Sequence, residues 1–239
     1  MAKLTITRAD FFASIQDMGR QRTQHLGLAQ SGVADEYSLF RANYLVGNAV
    51  TTPVIEIITG FFSITTDSPV TMALTGADMS ARVNNAPLSP WQSFVLMPGK
   101  VLELKNTTGM GIYCYLAVKG GFDIPLCFKS ASTVVRENLG GYQGRKLAAG
   151  DALATILPRP LGPTLATPAD QIPQFDRPLR LRIMPGYDHD NFPEESKKVF
   201  FTSEYTTSNK MDRTGIRLSG PPVIWGQGDI LSKPVALGV

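Results

Sequence analysis

The chain has 239 residues, 43% hydrophobic and 18% charged, enough to bury a sizeable core as one large domain or two smaller ones. Its formal charge of +3 is small and spread along the sequence without a Lys/Arg block, which argues against nucleic acid or an anionic membrane as a partner. No apolar run has the length of a membrane span and the N-terminal MAKLTITRAD lacks the apolar core of a secretory signal, so a cytoplasmic protein is expected.

The chain opens on alternation: Leu4 and Ile6, then Phe12 and Ile15, read as two short strands joined by a turn at Arg8 to Asp10. A polar, glycine-punctuated stretch follows, SIQDMGRQRTQHLGLAQSGVAD, of the kind that carries function on an ordered loop. Asp17, Arg20, His25, Ser31 and Asp35 are its candidates. From Asp35 to Val46 an acidic start precedes Leu39, Ala42, Leu45 and Val46 at helical spacing, and Gly47-Asn48 ends the run. A helix is expected there, with Asn43 able to face the loop before it.

Strand-like runs then succeed one another at 54–58, 61–66, 70–74, 80–83, 92–97, 101–105 and 111–118, separated by turn residues at Thr59-Gly60, Asn84-Asn85, Pro98-Gly99 and Thr108-Gly109. Short strands at this spacing indicate an antiparallel barrel or sandwich. Glu56, between Ile55 and Ile57, is either on the solvent face of its strand, the more usual case, or buried and paired. Cys114 and Cys127 lie in or beside apolar segments without CxxC spacing and read as buried thiols rather than a disulfide, a metal site or a nucleophile.

Chemistry-bearing residues are densest from Ser132 to Asp151, STVVRENLGGYQGRKLAAGD. Gly140, Gly141, Gly144 and Gly150 permit positive φ and close approach of main chain, and Ser132, Thr133, Arg136, Arg145 and Asp151 stand between them. Two readings are open. Glycine pairs between short apolar runs make ordinary hairpin turns. Arginines beside exposed backbone N–H groups make an anion-binding concavity for a carboxylate, a carbonate or a phosphate.

After a further strand at 152–157, six prolines from Pro158 to Pro178 argue for a semi-rigid linker over 161–178, dividing a first domain, 1–160, from a second, 179–239. In the second, Leu179, Leu181 and Ile183 alternate with arginines as in a half-buried strand, and PEESKKVFF reads as a short helix aligned with its dipole. Asp212, Arg213 and Arg217 surround a strand at 216–218. So few strands cannot close a barrel, and this half is expected to be incomplete or to lean on the first.

Several chemistries find no support. P-loop, Rossmann, HEXXH, CxxC and GxSxG patterns are absent, and the two histidines, His25 and His189, stand far apart, so no metal site is expected. His189 reads as an exposed loop residue, His25 as a general base or a loop hydrogen-bonder. There remains a set of Asp, Arg, Ser/Thr and Gly on loops of a β-rich scaffold. Such groups can bind and polarise an anion or a carbonyl, with acid–base work falling to Asp17, Asp35 or Asp212.

The segments SIQDMGR (14–20), HLGLAQSGVAD (25–35), RANYLVGN (41–48), VIEI (54–57), ALTGAD (73–78), YLAVKGGFDIP (115–125), STVVRENLGGYQGRKLAAGD (132–151) and DRTGIRLSG (212–220) resemble, in order, the allophanate hydrolase subunit 2 or biotin-dependent carboxyltransferase family. Its bacterial members include the C subunit of ATP-dependent 5-oxoprolinase. The resemblance implies a mainly β fold of cyclophilin-like β-barrel units with few short helices. It also implies partners, the B and A subunits of that enzyme, which together with it open the lactam of 5-oxo-L-proline at the expense of ATP. In the related urea amidolyase a similar domain helps transfer a carboxyl group from carboxybiotin to urea.

By the same resemblance, Asp17 and Arg20 fall in a QD-x-GR motif, Ser31 and Asp35 in SG-x-x-D, and Asn43 and Asn48 in the family's helix. Ser132, Thr133, Arg136, Gly140, Gly141, Gly144 and Arg145 fall in ST-x-x-R and GG-x-x-GR. Asp212, Arg213 and Arg217 match a motif of the second half. The implied roles are an anion held by Arg136 and Arg145, a proton handled by Asp17 or Asp35, and N–H donors from the glycine loop, the other motif residues binding a small amide substrate. Alanine at Arg145 is then expected to abolish turnover of the assembled complex.

The sequence departs from the family pattern at SGVAD and at STVVR, where Val134 replaces an aromatic residue. The family continues with further strands beyond PVALGV, so the second barrel is expected to be incomplete. The chain has no Ala-Met-Lys biotin attachment site. It is expected to bind no cofactor alone, ATP being used by the complex and biotin, in the carboxyltransferase alternative, arriving on another protein. A non-catalytic binding partner of the B-subunit homologue is the remaining alternative.

Overall fold

A computed structural model describes residues 1–107, 109, 111–156, 163–174, 178–211 and 215–226, with the side chains of 209–211 left aside. The chain falls into two compact units, Met1–Phe175 and Asp176–Val239. The mainly β reading with few short helices holds.

In the first unit, strands β1 (Lys3–Ala9), β4 (Phe62–Thr66), β6 (Arg82–Val83), β7 (Ala86–Pro87), β9 (Val101–Leu104) and β11 (Ala152–Ala154) form one sheet in the order β11-β1-β4-β9-β6-β7. The second sheet contains β2 (Phe12–Gln16), β3 (Val54–Ile58), β5 (Val70–Gly76), β8 (Gln92–Leu96) and β10 (Tyr113–Val118), ordered β2-β3-β10-β5-β8. Among the described residues these pairings make two open sheets, not a closed ring. The opening strands are both present, but each joins a different sheet. Asn84 and Asn85 take φ of 46° and 69°, the left-handed pair that a tight β6–β7 hairpin demands.

Alternation decides which faces meet. Leu4, Ile6, Ile64 and Leu102 of the first sheet pack on Ile15, Ile55, Ile57, Leu74 and Leu116 of the second in the main core. The opposite face of the second sheet is not solvated. Helix α1 (Glu36–Val46) covers it, Leu39, Ala42, Leu45 and Val46 packing on Val54, Ala73, Tyr115 and Ala117. Asp35 caps this helix by accepting from Ser38 N at 3.1 Å, and Gly47 at φ 71° ends it, as the acidic start and Gly-Asn stop require.

Residues expected in a linker run along the edge of β8: Ser93 N donates to Leu165 O at 2.7 Å and Thr167 N to Trp91 O at 2.8 Å. Pro158, Pro160 and residues 175–177 lie outside the described residues.

The second unit holds α2 (Glu194–Thr202), with Glu194 and Glu195 in its first turn, and an antiparallel pair, β12 (Thr206–Met211) and β13 (Ile216–Ser219). Phe192 meets Trp225 edge-on at 5.0 Å. The expected strand at 179–183 is not formed. Leu179, Leu181 and Ile183 are 59%, 75% and 61% exposed, because the alternation finds no sheet among the described residues to pair with.

Candidate functional site

Three stretches, 14–20, 29–33 and 130–147, interlock at the free edge of β2. Thr133 N donates to Ile15 O at 2.9 Å and Leu147 N to Ala13 O at 2.8 Å, so the glycine-rich segment lies along the strand. Val33 N reaches Asp17 O at 2.9 Å and Arg20 N reaches Gln30 O at 2.7 Å, closing the second stretch over the first.

Asp17 organises the junction. Its buried carboxylate accepts from Gly19 N (2.8 Å), Ser130 Oγ (2.7 Å), Ser132 Oγ (2.5 Å) and Ala131 N (2.6 Å). Three of these donors converge on Oδ1 and Ala131 N reaches Oδ2, so both oxygens are held by the fold's own N–H and O–H groups. Ser132 returns the contact, its Oγ accepting from Asp17 N at 3.0 Å. Arg20 lies 1% exposed beneath the loop and donates from Nη2 to Ser132 O at 2.5 Å. Ser31, at φ 57°, donates to Thr133 O at 2.9 Å and Gln16 Oε1 at 3.2 Å.

The glycines are there for contact. A Cβ on Gly140 would stand 2.2 Å from both Arg20 Nη2 and Ser132 O, and one on Gly141 would stand 1.8 Å from Thr133 Oγ1. Both sit at positive φ, 66° and 54°. Their neighbourhood is a packed bend rather than an open nest: Gly141 N donates to Ala131 O at 2.9 Å and Gly144 N to Gly140 O at 2.8 Å.

The two expected anion-holding arginines differ. Arg136 is exposed, on the short turn Val135–Glu137. Arg145 makes a two-pronged ion pair with Asp151, at 2.7 Å from each of Nη1 and Nη2. That arginine, through its hydrogen bonds first and the Ala148 N–H after them, holds the Asp151 carboxyl below the ordinary carboxylate range.

A second polar node lies under α1. Glu56 is fully buried, because its strand face is the one the helix covers; its Oε2 accepts from Tyr115 OH at 3.0 Å and Ala34 N at 2.8 Å. The buried alternative therefore replaces the solvent-facing one. Tyr115 OH accepts from Asp35 N at 2.8 Å, and burial first, then the Glu56 charge, raises its pKa above the usual tyrosine range. Asp35 accepts from Ser38 Oγ at 2.5 Å as well as from its N–H, so it is committed to the helix start.

Asn43 and Asn48 serve the turn after α1. Asn43 donates to Thr52 O at 2.7 Å and Asn48 to Val118 O at 2.8 Å, while Gly120 N donates to Asn48 Oδ1 at 2.8 Å. His25 is exposed and His189 half-buried in a short turn. Cys114 is buried, which pushes its thiol up to about 12; Cys127 is half-buried. Arg217 is exposed on β13, and Asp212 and Arg213 lie outside the described residues.

Residues 26–239 match the family described as carboxyltransferase domain, subdomain A and B. The chain belongs to this family. It is 34% identical to the 5-oxoprolinase C subunit of Escherichia coli, over 91% of this chain and 68% of that one. Identity to the 5-oxoprolinase C subunit of Haemophilus influenzae is 30%, over 95% of this chain and 72% of the relative. A putative urea carboxylase of Emericella nidulans is 34% identical over 96% of this chain, which spans only 19% of that protein. Among solved structures, TTHA0988 matches at TM-score 0.86 and 32% identity, over 100% of this chain and 46% of its own. Urea amidolyase of K. lactis matches at 0.80 and 28%, over 95% of this chain and 14% of the other.

Within this carboxyltransferase-domain chain, sequence reasoning passed over Ser130 and Gln16. Ser130 carries one of the four donors to Asp17, and Gln16 Nε2 joins Ser14 Oγ at 2.9 Å to Thr133 O at 3.1 Å. The signal for Ser130 was its place in SAST, one strand-like step ahead of Ser132. Among the described residues no helix is long and apolar enough to cross a membrane, and no group of His, Cys, Asp or Glu is arranged to hold a metal ion.

Proposed function

We propose that this chain is the C subunit of an ATP-dependent 5-oxoprolinase, acting with the A and B subunits in the cytoplasm to hydrolyse 5-oxo-L-proline to L-glutamate. The observation that carries this reading is the 30% and 34% identity to two 5-oxoprolinase C subunits, over 95% and 91% of this chain. The glycine bend does not suit a triphosphate, since the Gly141 and Gly144 N–H groups are committed to Ala131 O and Gly140 O. In this proposal ATP is handled by a partner, and any biotin arrives on another protein.

Opening a lactam builds negative charge on its oxygen, which fixed donors and guanidinium groups stabilise. Arg136, exposed and three residues beyond the Thr133 anchor, is the cation offered to substrate. Asp17, Asp35 and the Arg145–Asp151 pair act in this proposal as positioning residues, because their polar atoms are engaged within the fold.

Co-expression with homologues of the A and B subunits, followed by a 5-oxoproline-dependent ATP hydrolysis assay, tests the proposal. Turnover is expected only with all three chains, and Arg136→Ala is expected to lower kcat/KM at least about tenfold without unfolding this chain. A stable complex without 5-oxoproline-dependent turnover overturns it and favours a non-catalytic binding partner. The likeness to urea carboxylase, 34% over 96% of the chain, supports carboxyl transfer to urea or a similar amide as the second reading. Urea-dependent turnover in the presence of a biotin carrier protein would select it.

A further inference from the structure

Arg136, the cation offered to substrate above, stands exposed and joins no ion pair or side-chain hydrogen bond among the described residues. A long side chain without a partner of its own is aimed by the backbone beneath it. That backbone is a short finger, 134–139, whose arms close on each other: Val134 N donates to Leu139 O at 2.8 Å and Leu139 N to Val134 O at 3.2 Å. The base of the finger continues into the bend, where Thr133 N reaches Ile15 O and Gly141 N reaches Ala131 O, each at 2.9 Å.

The tip turns through Val135–Glu137 and reverses at Asn138, whose φ of 50° and ψ of 43° are left-handed. Glu137 N donates to Val134 O at 3.1 Å and Asn138 N to Val135 O at 3.2 Å, so the reversal closes the turn that carries Arg136. Asparagine enters this conformation at little cost, whereas a β-branched residue resists it. The Asn138 side chain is exposed and bonds to no described residue, so its backbone conformation is what the finger uses.

Gly144 holds the reversal from outside. A Cβ there would stand 2.2 Å from Asn138 O and 2.3 Å from Asn138 C, while Gly144 N donates to Gly140 O at 2.8 Å. The Asn138 carbonyl is therefore seated against bare main chain, and only glycine leaves room for it. Gly99 offers the contrast: at φ 74°, against 69° for Gly144, its added Cβ would meet nothing within 4 Å.

We propose that Asn138 and Gly144 are positioning residues that fix the direction from which Arg136 meets substrate. The inference rests on the function proposed above for the part Arg136 plays in turnover. The rigidity of the finger is a property of this chain and is measured without partners.

Hydrogen exchange of the full chain reads the paired amides of Val134 and Leu139. Asn138→Val and Gly144→Ala are expected to speed their exchange about tenfold, and Asn138→Gly and Gly99→Ala to leave it within about twofold. In the assembled complex, Asn138→Val is expected to lower kcat/KM about fivefold or more and Asn138→Gly to keep it. Added to Arg136→Ala, Asn138→Val should cost nothing further, because a residue acting only through Arg136 then has nothing to position. Unchanged exchange in Asn138→Val, or a loss that adds to that of Arg136→Ala, overturns the proposal. Should Gly144→Ala not fold, Asn138→Val decides. A complex that never turns over 5-oxoproline defeats the function proposed above instead, and exchange then decides alone.

Discussion

Arg145 and Asp151 meet through two hydrogen bonds of 2.7 Å, with the arginine side chain 39% exposed. Asp17 and Arg20, three residues apart and both buried, form no ion pair; each bonds instead to Ser132. The sequence offers an acid and an arginine in both places, and burial separates their uses. Because Arg145 keeps part of its contact with water, less desolvation opposes its pairing with the buried Asp151. Under the loop, backbone and hydroxyl donors outcompete the guanidinium, since a carboxylate that gathers several N–H and O–H groups fixes a whole bend.

The sharpest way to break that contrast is Asp17→Ala. Four donors, from Gly19, Ser130, Ala131 and Ser132, would lose their acceptor, and urea denaturation is expected to show a loss of about 3–5 kcal/mol. A loss below about 1 kcal/mol would mean that Asp17 does not organise the bend. Next comes Gly141→Ala, whose Cβ would stand 1.8 Å from Thr133 Oγ1, against Gly150→Ala, which meets nothing within 4 Å at φ 94°. The first is expected to cost about 3 kcal/mol and the second about 1 kcal/mol, measured side by side; equal costs would show that backbone conformation alone matters.

The smallest effect belongs to the Arg145–Asp151 pair. Asp151 has its folded pKa depressed by Arg145 and Ala148 N, so its stabilisation is present above the unfolded value near ~3.9 and is lost as pH falls through the folded value. Asp151→Asn is expected to cost about 1 kcal/mol at pH 7, discounted for solvent around Arg145, and progressively less as pH falls through the folded value. Denaturant midpoints of both proteins across that range check the sign.

Much of the first unit was legible because its signals are local. Asp35 and Gly47 bracket a helix, Asn84-Asn85 makes a hairpin turn, and alternating runs mark the strands. Glu56 escaped because alternation tells which residues share a face and not whether a helix will cover it. Leu179 to Ile183 failed for the related reason that a strand needs a neighbour the pattern itself does not supply. In the candidate site the residue types were readable, but their partners were not. Asp17 is joined to Ser132 across 115 residues, a pairing no local window contains.

β2 ends its sheet, and an outermost strand ordinarily offers a row of open amides and carbonyls to any chain that drifts alongside. Here Thr133 and Leu147 occupy the carbonyls of Ile15 and Ala13, so the same loop that gathers the polar residues also works as a shield. Variants that loosen the bend should therefore betray themselves first as turbidity in concentrated solution, before any measurable fall in helix or sheet content.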